Sequence, residues 1–290
     1  AGARQRIQEL ALEMIGQHVW LWLVPMGFVL GALGTLIGAG GGFVLVPVLL
    51  LMYPRNSPET ITSISLAVVF FNALSGSVAY GKMGRIDFRS GVLFAAATIP
   101  GAILGAFTTD LIPRRTFNGV FGVLMVAAAA YLILQRDKDP GPARSGDAHR
   151  TVRRIVEKDG TVHTYSFSLR AGMAWSTLVG YISSLLGIGG GIVHVPVLAR
   201  LLNFPVHIAT ATSHFVLAIM ALTGTVVHIA TGSFSHGGFW RTLYLGIGVL
   251  LGAQLGALLS NRVKGVWIIR SLAIALGLVG VRILLMAFNL

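Results

Sequence analysis

The sequence predicts an all-α polytopic membrane protein made of two homologous halves, and three observations support that prediction. Charged residues make up 11% of the 290 residues, whereas about a quarter is usual in a soluble domain. Apolar segments long enough to cross a bilayer recur along the chain. A set of glycine-rich motifs appears twice in the same order. The composition, which includes no cysteine, excludes a soluble enzyme, a disordered chain and a disulfide scaffold.

Each predicted half contains four long apolar segments and one short one. We expect all of them to be helical, because lipid offers no partner to an open strand edge. The short segments, 43–52 and 192–202, follow glycine clusters and cannot cross as straight helices, so each half is expected to hold one short broken helix. The long segments cover residues 19–37, 61–80, 90–108, 117–134, 171–187, 207–230, 240–260 and 266–288.

The N-terminal segment differs in character from the spans. Residues 1–18 alternate apolar side chains with Arg, Gln and Glu at helical spacing, which predicts an interfacial N-terminal helix. No small-residue cleavage site follows a short apolar core there, so we do not expect a cleavable signal peptide. Residues 19–134 then form the first membrane repeat, and residues 171–290 form the second.

The linker between the repeats, residues 135–170, is the one long polar stretch. Alternating side chains from Thr151 to Phe167 around Asp159-Gly160 predict a β-hairpin. The basic residues of this linker favour a cytoplasmic location, because positive charge accumulates in cytoplasmic loops. The net charge of +12 is assigned first to topology and to contacts with anionic lipid, and second to anion handling, rather than to nucleic-acid binding.

An internal duplication is the strongest signal in the sequence. The three glycines at 40–42 match those at 189–191, and Pro47 matches Pro196, both at an offset of 149. Two homologous halves are the architecture of many secondary transporters. Further matches keep the same order: Ser65 with Ser213, Ser75-Gly76 with Thr223-Gly224, Gly84 with Gly232, and Gly101 and Gly105 with Gly252 and Gly256.

The relative orientation of the two halves depends on the short helices. If each short helix completes a passage, each half crosses an odd number of times and the halves are inverted. If each stays on one side, the halves are parallel. We favour inverted repeats, because inversion gives two pseudo-symmetric access states around one central site.

Glycine-rich breaks inside apolar segments, at matching places in two halves, point to a transport site. A helix that restarts after such a break presents its positive N-terminal end to an anion. Close packing of helices on small residues is the alternative, and we favour it for the later glycine pairs at 101/105 and 252/256. Substrate contact is predicted for the glycines of both clusters: Gly40, Gly41, Gly42, Gly189, Gly190 and Gly191.

Polar side chains within the apolar segments complete the predicted substrate site. Intramembrane ionisable groups are functional candidates by default, and His214, beside Ser213, is the strongest of them. Buried amides need hydrogen-bond partners, whereas Ser and Thr often bond back to their own helix. The candidates are Ser65, Asn72, His194, Thr212, Ser213, His214 and Gln254.

Acidic residues are missing from the middle of every apolar segment. Sodium-coupled and many proton-coupled carriers use an intramembrane carboxylate, so any coupling would fall to histidine, and uncoupled export is equally open. We predict no catalytic residue, no metal site and no cofactor. The sequence lacks a Gly-x-Ser-x-Gly nucleophile elbow, a His-Glu-x-x-His zinc motif and a P-loop.

The paired glycine strings also carry a family resemblance. They run from Gly38 to Pro47 and from Gly187 to Pro196, each reading Gly-x-Gly-Gly-Gly-x-x-x-x-Pro. Together with the strings Phe70 to Tyr80, Ala211 to Ser213 and Gly252 to Ala257, they resemble the sulfite exporter TauE/SafE family. The resemblance covers about residues 20–134 and 171–288 and leaves out the linker hairpin. The first half departs at Ile64, where the second half has Thr212.

The resemblance implies a bacterial inner-membrane permease, usually an exporter, for sulfite, organosulfonates such as sulfoacetate or related sulfur oxyanions. We therefore expect a secondary transporter of small anions that alternates access around the glycine breaks. Membrane lipids are its other expected partner, no nucleic-acid partner is expected, and a homo-oligomer is left open. The alternatives are an anion channel of the same architecture and a membrane sensor that reads an anion without moving it.

Overall fold

The computed structural model describes residues 2–53, 56–134, 150–234, 238–260, 262 and 265–288. These residues form ten α-helices and a two-stranded antiparallel sheet, with strands β1 (Thr151–Val156) and β2 (Val162–Phe167). A π-helical turn, Val197–Leu201, extends α7. The helices are α1 (Gly2–Ile37), α2 (Gly42–Met52), α3 (Pro58–Lys82), α4 (Phe88–Thr109), α5 (Arg114–Leu134), α6 (Leu169–Leu186), α7 (Gly191–Pro196), α8 (Val206–Ala230), α9 (Gly238–Ser260) and α10 (Gly265–Ala287).

The helices meet the prediction of a polytopic membrane protein. Of the described residues, Trp20–Ile37 within α1 and the whole of α3, α4, α8 and α9 are long and apolar enough to cross a membrane. Shorter apolar helices cover Gly42–Met52 and Gly191–Leu201, where the two short pieces are predicted, and Ala273–Ala287 within α10. The other predicted spans are helical as α5 and α6.

The N-terminal segment and the first span form one continuous helix. α1 begins at Gly2 and reaches Ile37 without a break, so residues 2–18 are helical as predicted but not a separate helix. Of the linker, residues 135–149 lie outside the described residues, and the described structure resumes at Arg150.

Short polar side chains fix where α3 and α4 begin. The Oγ of Ser57 accepts the N–H of Thr60 at 3.2 Å, and Pro58 occupies the first helical position of α3. The carboxylate of Asp87 accepts the N–H of Ser90 at 3.1 Å at the start of α4. Such caps satisfy N–H groups that have no carbonyl four residues back in their own helix.

Glycines allow the long helices to pack backbone against backbone. Helix α1 lies along α9, and α6 lies along α4. Gly101 abuts the carbonyl of Thr177, and Gly252 abuts the carbonyl of Phe28, each so closely that a Cβ would collide. The packing role that we favour for these glycines is therefore the one they have.

Helices α3 and α8 cross the bundle in opposite directions. Glu59, in the first turn of α3, accepts a hydrogen bond from Ser233, which follows the end of α8. Past the end of α3, the N–H of Asp87 donates to Oγ1 of Thr212, in the second turn of α8, at 3.0 Å. Helix α9 ends on this second side as well, where Arg85 Nη1 donates to Ser260 Oγ at 3.3 Å.

The predicted hairpin is present, with a slightly longer turn than expected. Its register pairs Thr151 with Phe167 and Val156 with Val162. The N–H of Gly160 donates to the Glu157 carbonyl at 3.0 Å, and Gly160 has a φ of 88°, which only glycine adopts readily. The loop therefore holds three residues, closed by a left-handed glycine, instead of a two-residue turn.

The hairpin packs on the side of the bundle where α3 and α9 end, which we call the hairpin end. Arg85 Nε binds Glu157 Oε2 at 2.5 Å, and the Tyr165 hydroxyl donates to Asp87 Oδ2 at 2.9 Å. Burial, reinforced by the Asp87 carboxylate, raises the pKa of Tyr165, so this hydroxyl keeps its proton. Phe167 packs with Phe94 and Phe204 beneath the strands.

Candidate functional site

Each half contains one glycine break, which lies between a long helix and the short helix that follows it. Gly38, Gly40 and Gly41 have φ values of 81°, 76° and 80°, and at the matching positions Gly187, Gly189 and Gly190 have 67°, 79° and 66°. For a residue with a Cβ, this left-handed conformation costs roughly 1–2 kcal/mol of free energy. Both strings thus need glycine three times for the backbone path itself.

The two breaks touch each other inside the bundle. A Cβ on Gly42 would lie 2.7 Å from the carbonyl oxygen of Ile188, and a Cβ on Gly191 would lie closer still to the carbonyl oxygen of Gly38. The first N–H groups of α2 and α7 have no carbonyl four residues back. The N–H groups of Gly42 and Ile192 donate to no backbone carbonyl elsewhere among the described residues.

A buried polar network adjoins the first break. Oγ1 of Thr35 donates to Oδ1 of Asn72 at 2.9 Å and lies 3.2 Å from Nε2 of His214. The hydroxyl of Tyr80 donates to the carbonyl of Thr35 at 2.8 Å. The side-chain amide nitrogen of Asn72 has no partner among the described residues and points towards Gly41. One donor of this network is therefore unsatisfied and faces the first break.

The second break has its own polar neighbours. Oγ of Ser176 lies 3.2 Å from Nε2 of His194. Ser183 and Ser213 are fully buried, and their hydroxyls have no hydrogen-bond partner in the described structure. A Cβ on Gly190 would lie 2.9 Å from Oγ of Ser183. These hydroxyls are free donors beside the start of α7.

A small cavity lies at the second break. Its volume is about 10 Å³, which is close to the space that one water needs. Apolar side chains form much of its wall, among them Val179, Leu217 and Met220. The lining residues are Thr98, Val179, Gly190, Gly191, His194, Ser213, Val216, Leu217 and Met220.

In the described part of the chain, the breaks lie away from the buried acidic and basic side chains. Among the described residues, the buried Asp, Glu, Lys and Arg side chains are Arg85, Asp87 and Glu157, and all three lie at the hairpin end. Besides the imidazoles of His194 and His214, the hydrogen-bond donors at the breaks are neutral groups: backbone N–H groups, hydroxyls and one amide. Such donors can hold an anion in a dry site without a counter-charge.

Most of the predicted site residues gather around the breaks. Ser65 belongs to them, because its Oγ donates to the carbonyl of Gly187 at 2.6 Å. Thr212 lies away from the breaks, because its Oγ1 accepts the backbone N–H of Asp87 at the hairpin end. Gln254 lies away from them as well, because it is exposed on the outer face of α9 and donates to the carbonyl and Oγ of Ser75, both at 2.8 Å.

Three residues of the site escaped the sequence analysis. Thr35 and Ser183 lie three and four residues before the two matched glycine strings, so their closeness to the repeat was an available signal. Ser176 lies on α6 well before the second string, and its contact with His194 depends on how α6 packs against α7. No pattern in the sequence predicts that contact.

Comparisons with known proteins agree on one family. The model of the family described as Sulfite exporter TauE/SafE matches residues 23–283. The probable membrane transporter protein YunE of Bacillus subtilis is 32% identical over 269 residues, covering 90% of this chain and 96% of the relative. The probable membrane transporter protein MJ0441 of Methanocaldococcus jannaschii is 23% identical over 274 residues, with 91% and 94% covered.

A third relative extends the same pattern. A probable membrane transporter protein of Xylella fastidiosa (strain 9a5c) is 30% identical over 240 residues, covering 82% of each chain. No solved structure matches this chain. The match to the family model therefore spans both membrane halves, including the stretches that hold the two glycine breaks.

Proposed function

The chain belongs to the sulfite exporter TauE/SafE family, and from this premise we propose that it exports small sulfur-containing anions, such as sulfite or an organosulfonate, across the bacterial inner membrane. The relatives named as probable membrane transporters support transport as the general activity. The family description supports sulfite as the starting point for the substrate.

One observation carries the proposal for the site: two left-handed glycine breaks lie back to back, each beside buried donors without partners. An unsatisfied buried donor is costly, about 1–3 kcal/mol per group. Asn72 and Ser213 would regain that energy by donating to an oxyanion between the helix ends. The substrate site therefore consists of the two glycine clusters with Ser65, Asn72, His194, Ser213 and His214.

We also propose that the two halves are inverted repeats and that access alternates between them. Reciprocal contacts support this: Gly38 packs on Thr210, and Gly187, the match of Gly38, packs on Thr62, the match of Thr210. The opposite directions of α3 and α8 favour inversion over parallel halves. Rocking one half against the other would open the closed cavity to one side at a time.

Proteoliposome flux tests the proposal. Purified protein should transport radiolabelled sulfite or sulfoacetate with saturable kinetics, in preference to sulfate and chloride. Ser213→Ala removes a free donor at the second break and should lower the flux at least tenfold. Thr225→Ala is the matched control on the same helix, because Oγ1 of Thr225 only donates to the carbonyl of Ala221 at 2.7 Å.

Each alternative has a distinct result in the same assay. Flux that does not saturate, or that passes chloride equally well, would identify an anion channel. Folded protein that binds sulfite but moves no anion would identify a sensor. Equal loss in Ser213→Ala and Thr225→Ala would contradict the assigned site while leaving transport intact.

A further inference from the structure

A cavity of about 730 Å³ lies at the hairpin end, far larger than the space at the glycine breaks. The last turn of α3, the hairpin loop and the last turns of α9 form its walls. Lys82 and Lys158 stand on two of these walls, on α3 and on the hairpin loop. In the described parts of the chain neither lysine ammonium belongs to an ion pair.

The remaining charges of the cavity are already engaged. Arg85 is bound to Glu157, and Glu157 Oε1 also lies 2.8 Å from Nε2 of His163. The carboxylate of Asp159 accepts the N–H of Thr161 at 2.9 Å, and this bond lowers the pKa of Asp159. Asp159 therefore keeps its negative charge, and the lining side chains, with Lys82, Lys158 and Arg85 against Glu157 and Asp159, carry a net charge of +1.

Apolar surface leads away from these lysines along the outside of the bundle. Leu74 and Val78 precede Lys82 at four-residue steps on α3, and both are exposed. On α9, Leu251, Leu255 and Leu258 form a second exposed row that reaches the cavity at Leu258. Residues four apart share one face of a helix. The cationic cavity therefore continues into a strip of lipid-facing hydrocarbon.

We propose that this cavity binds an anionic phospholipid, with the lipid phosphate between Lys82 and Lys158 and its acyl chains along the apolar strip of α3 and α9. A basic pocket at the edge of the membrane suits a phosphate headgroup. A free phosphate would satisfy the lysines but would leave the apolar strip unused, which favours the lipid. The assignment does not depend on what the protein transports.

Binding of defined lipids tests the assignment. Delipidated full-length protein in detergent would be titrated with phosphatidylglycerol, phosphatidylcholine or inorganic phosphate, and bound lipid counted by native mass spectrometry. We expect phosphatidylglycerol to bind at least tenfold more tightly than phosphatidylcholine. The double variant Lys82→Gln/Lys158→Gln should lose this preference.

The matched control is Arg89→Gln/Arg154→Gln, which removes two exposed charges from the same end but outside the cavity. It should keep the preference for phosphatidylglycerol. Equal loss in both double variants would show attraction to net charge and overturn the site. Stabilisation by inorganic phosphate without retention of phosphatidylglycerol would overturn the lipid assignment in favour of a soluble anion.

Discussion

At the scale of single residues, the glycines of the two breaks have a backbone role that no other residue can fill. Gly189 has a φ of 79°, and a Cβ there would lie 2.5 Å from Cγ1 of Val69. Two penalties therefore act together: left-handed strain and a steric collision with a buried side chain. The same two conditions hold at Gly40, against Leu217.

Replacing Gly189 by alanine should lower the free energy of unfolding by at least about 1–2 kcal/mol, from the left-handed strain alone. Thermal unfolding in detergent would measure the change. Gly119→Ala on α5 is the control, because nothing lies within 4 Å of a Cβ placed there. That variant should be neutral, or more stable by up to about 1 kcal/mol. Equal melting temperatures for the two variants would contradict the left-handed geometry of the break.

At the scale of elements, the hairpin is tied to both halves of the bundle. Its Glu157 binds Arg85, which also contacts Ser260 at the end of α9. Its Tyr165 binds Asp87, whose backbone N–H is held by Thr212 of α8. Any rocking of one half against the other must therefore move or release the hairpin.

The Arg85–Glu157 pair offers a double-mutant cycle. Arg85→Met and Glu157→Leu each leave one buried charge without its partner, and each should cost about 3–5 kcal/mol of stability. Arg85→Met/Glu157→Leu removes both charges and should cost much less. Chemical unfolding in detergent measures all three proteins and the wild type. A double variant as unstable as the sum of the single variants would show that the pair is not coupled.

The Tyr165 hydroxyl provides a second test of how the hairpin is held to the bundle. Tyr165→Phe keeps the ring against Phe204 but removes the hydrogen bond to the Asp87 carboxylate. Hydrogen bonds to charged groups contribute about 1.5–3 kcal/mol, and we expect a loss in that range. Limited proteolysis should also cut the linker of this variant faster. An unchanged melting temperature and cleavage rate would mean that the apolar contacts alone hold the hairpin.

At the scale of the whole molecule, the orientation of the two halves decides which side each loop faces. Leu111 follows α4 and Arg262 follows α9, and the two positions correspond at the repeat offset of 151. Inverted halves place such a pair on opposite sides of the membrane. Parallel halves place them on the same side.

Cysteine labelling can determine on which side each of these two loops lies, because the sequence has no cysteine of its own. With a membrane-impermeant maleimide on intact cells, Leu111→Cys should react and Arg262→Cys should react only after permeabilisation. Both positions are exposed, so access to reagent is comparable. Reaction of both residues from one side would exclude inverted halves. Reversed accessibility would keep inversion and place the hairpin outside the cytoplasm.

The sequence by itself determined the features that depend on neighbouring residues. Apolar runs located the helices, since a span must be apolar along its whole length. The glycine strings marked the breaks, because a left-handed backbone favours glycine locally. Alternation around Gly160 located the hairpin for the same local reason, although the turn is one residue longer than predicted.

Only the tertiary structure decided which polar side chains meet. Thr35 joins Asn72 and His214 across 37 and 179 residues of sequence, and that meeting depends on the rotation and register of three helices. Thr212 and Gln254 look alike in sequence to the residues of the site, yet they face the hairpin end and the outer surface. An apolar helix in lipid has little amphipathic pattern to show which face turns inward, so packing alone settles it.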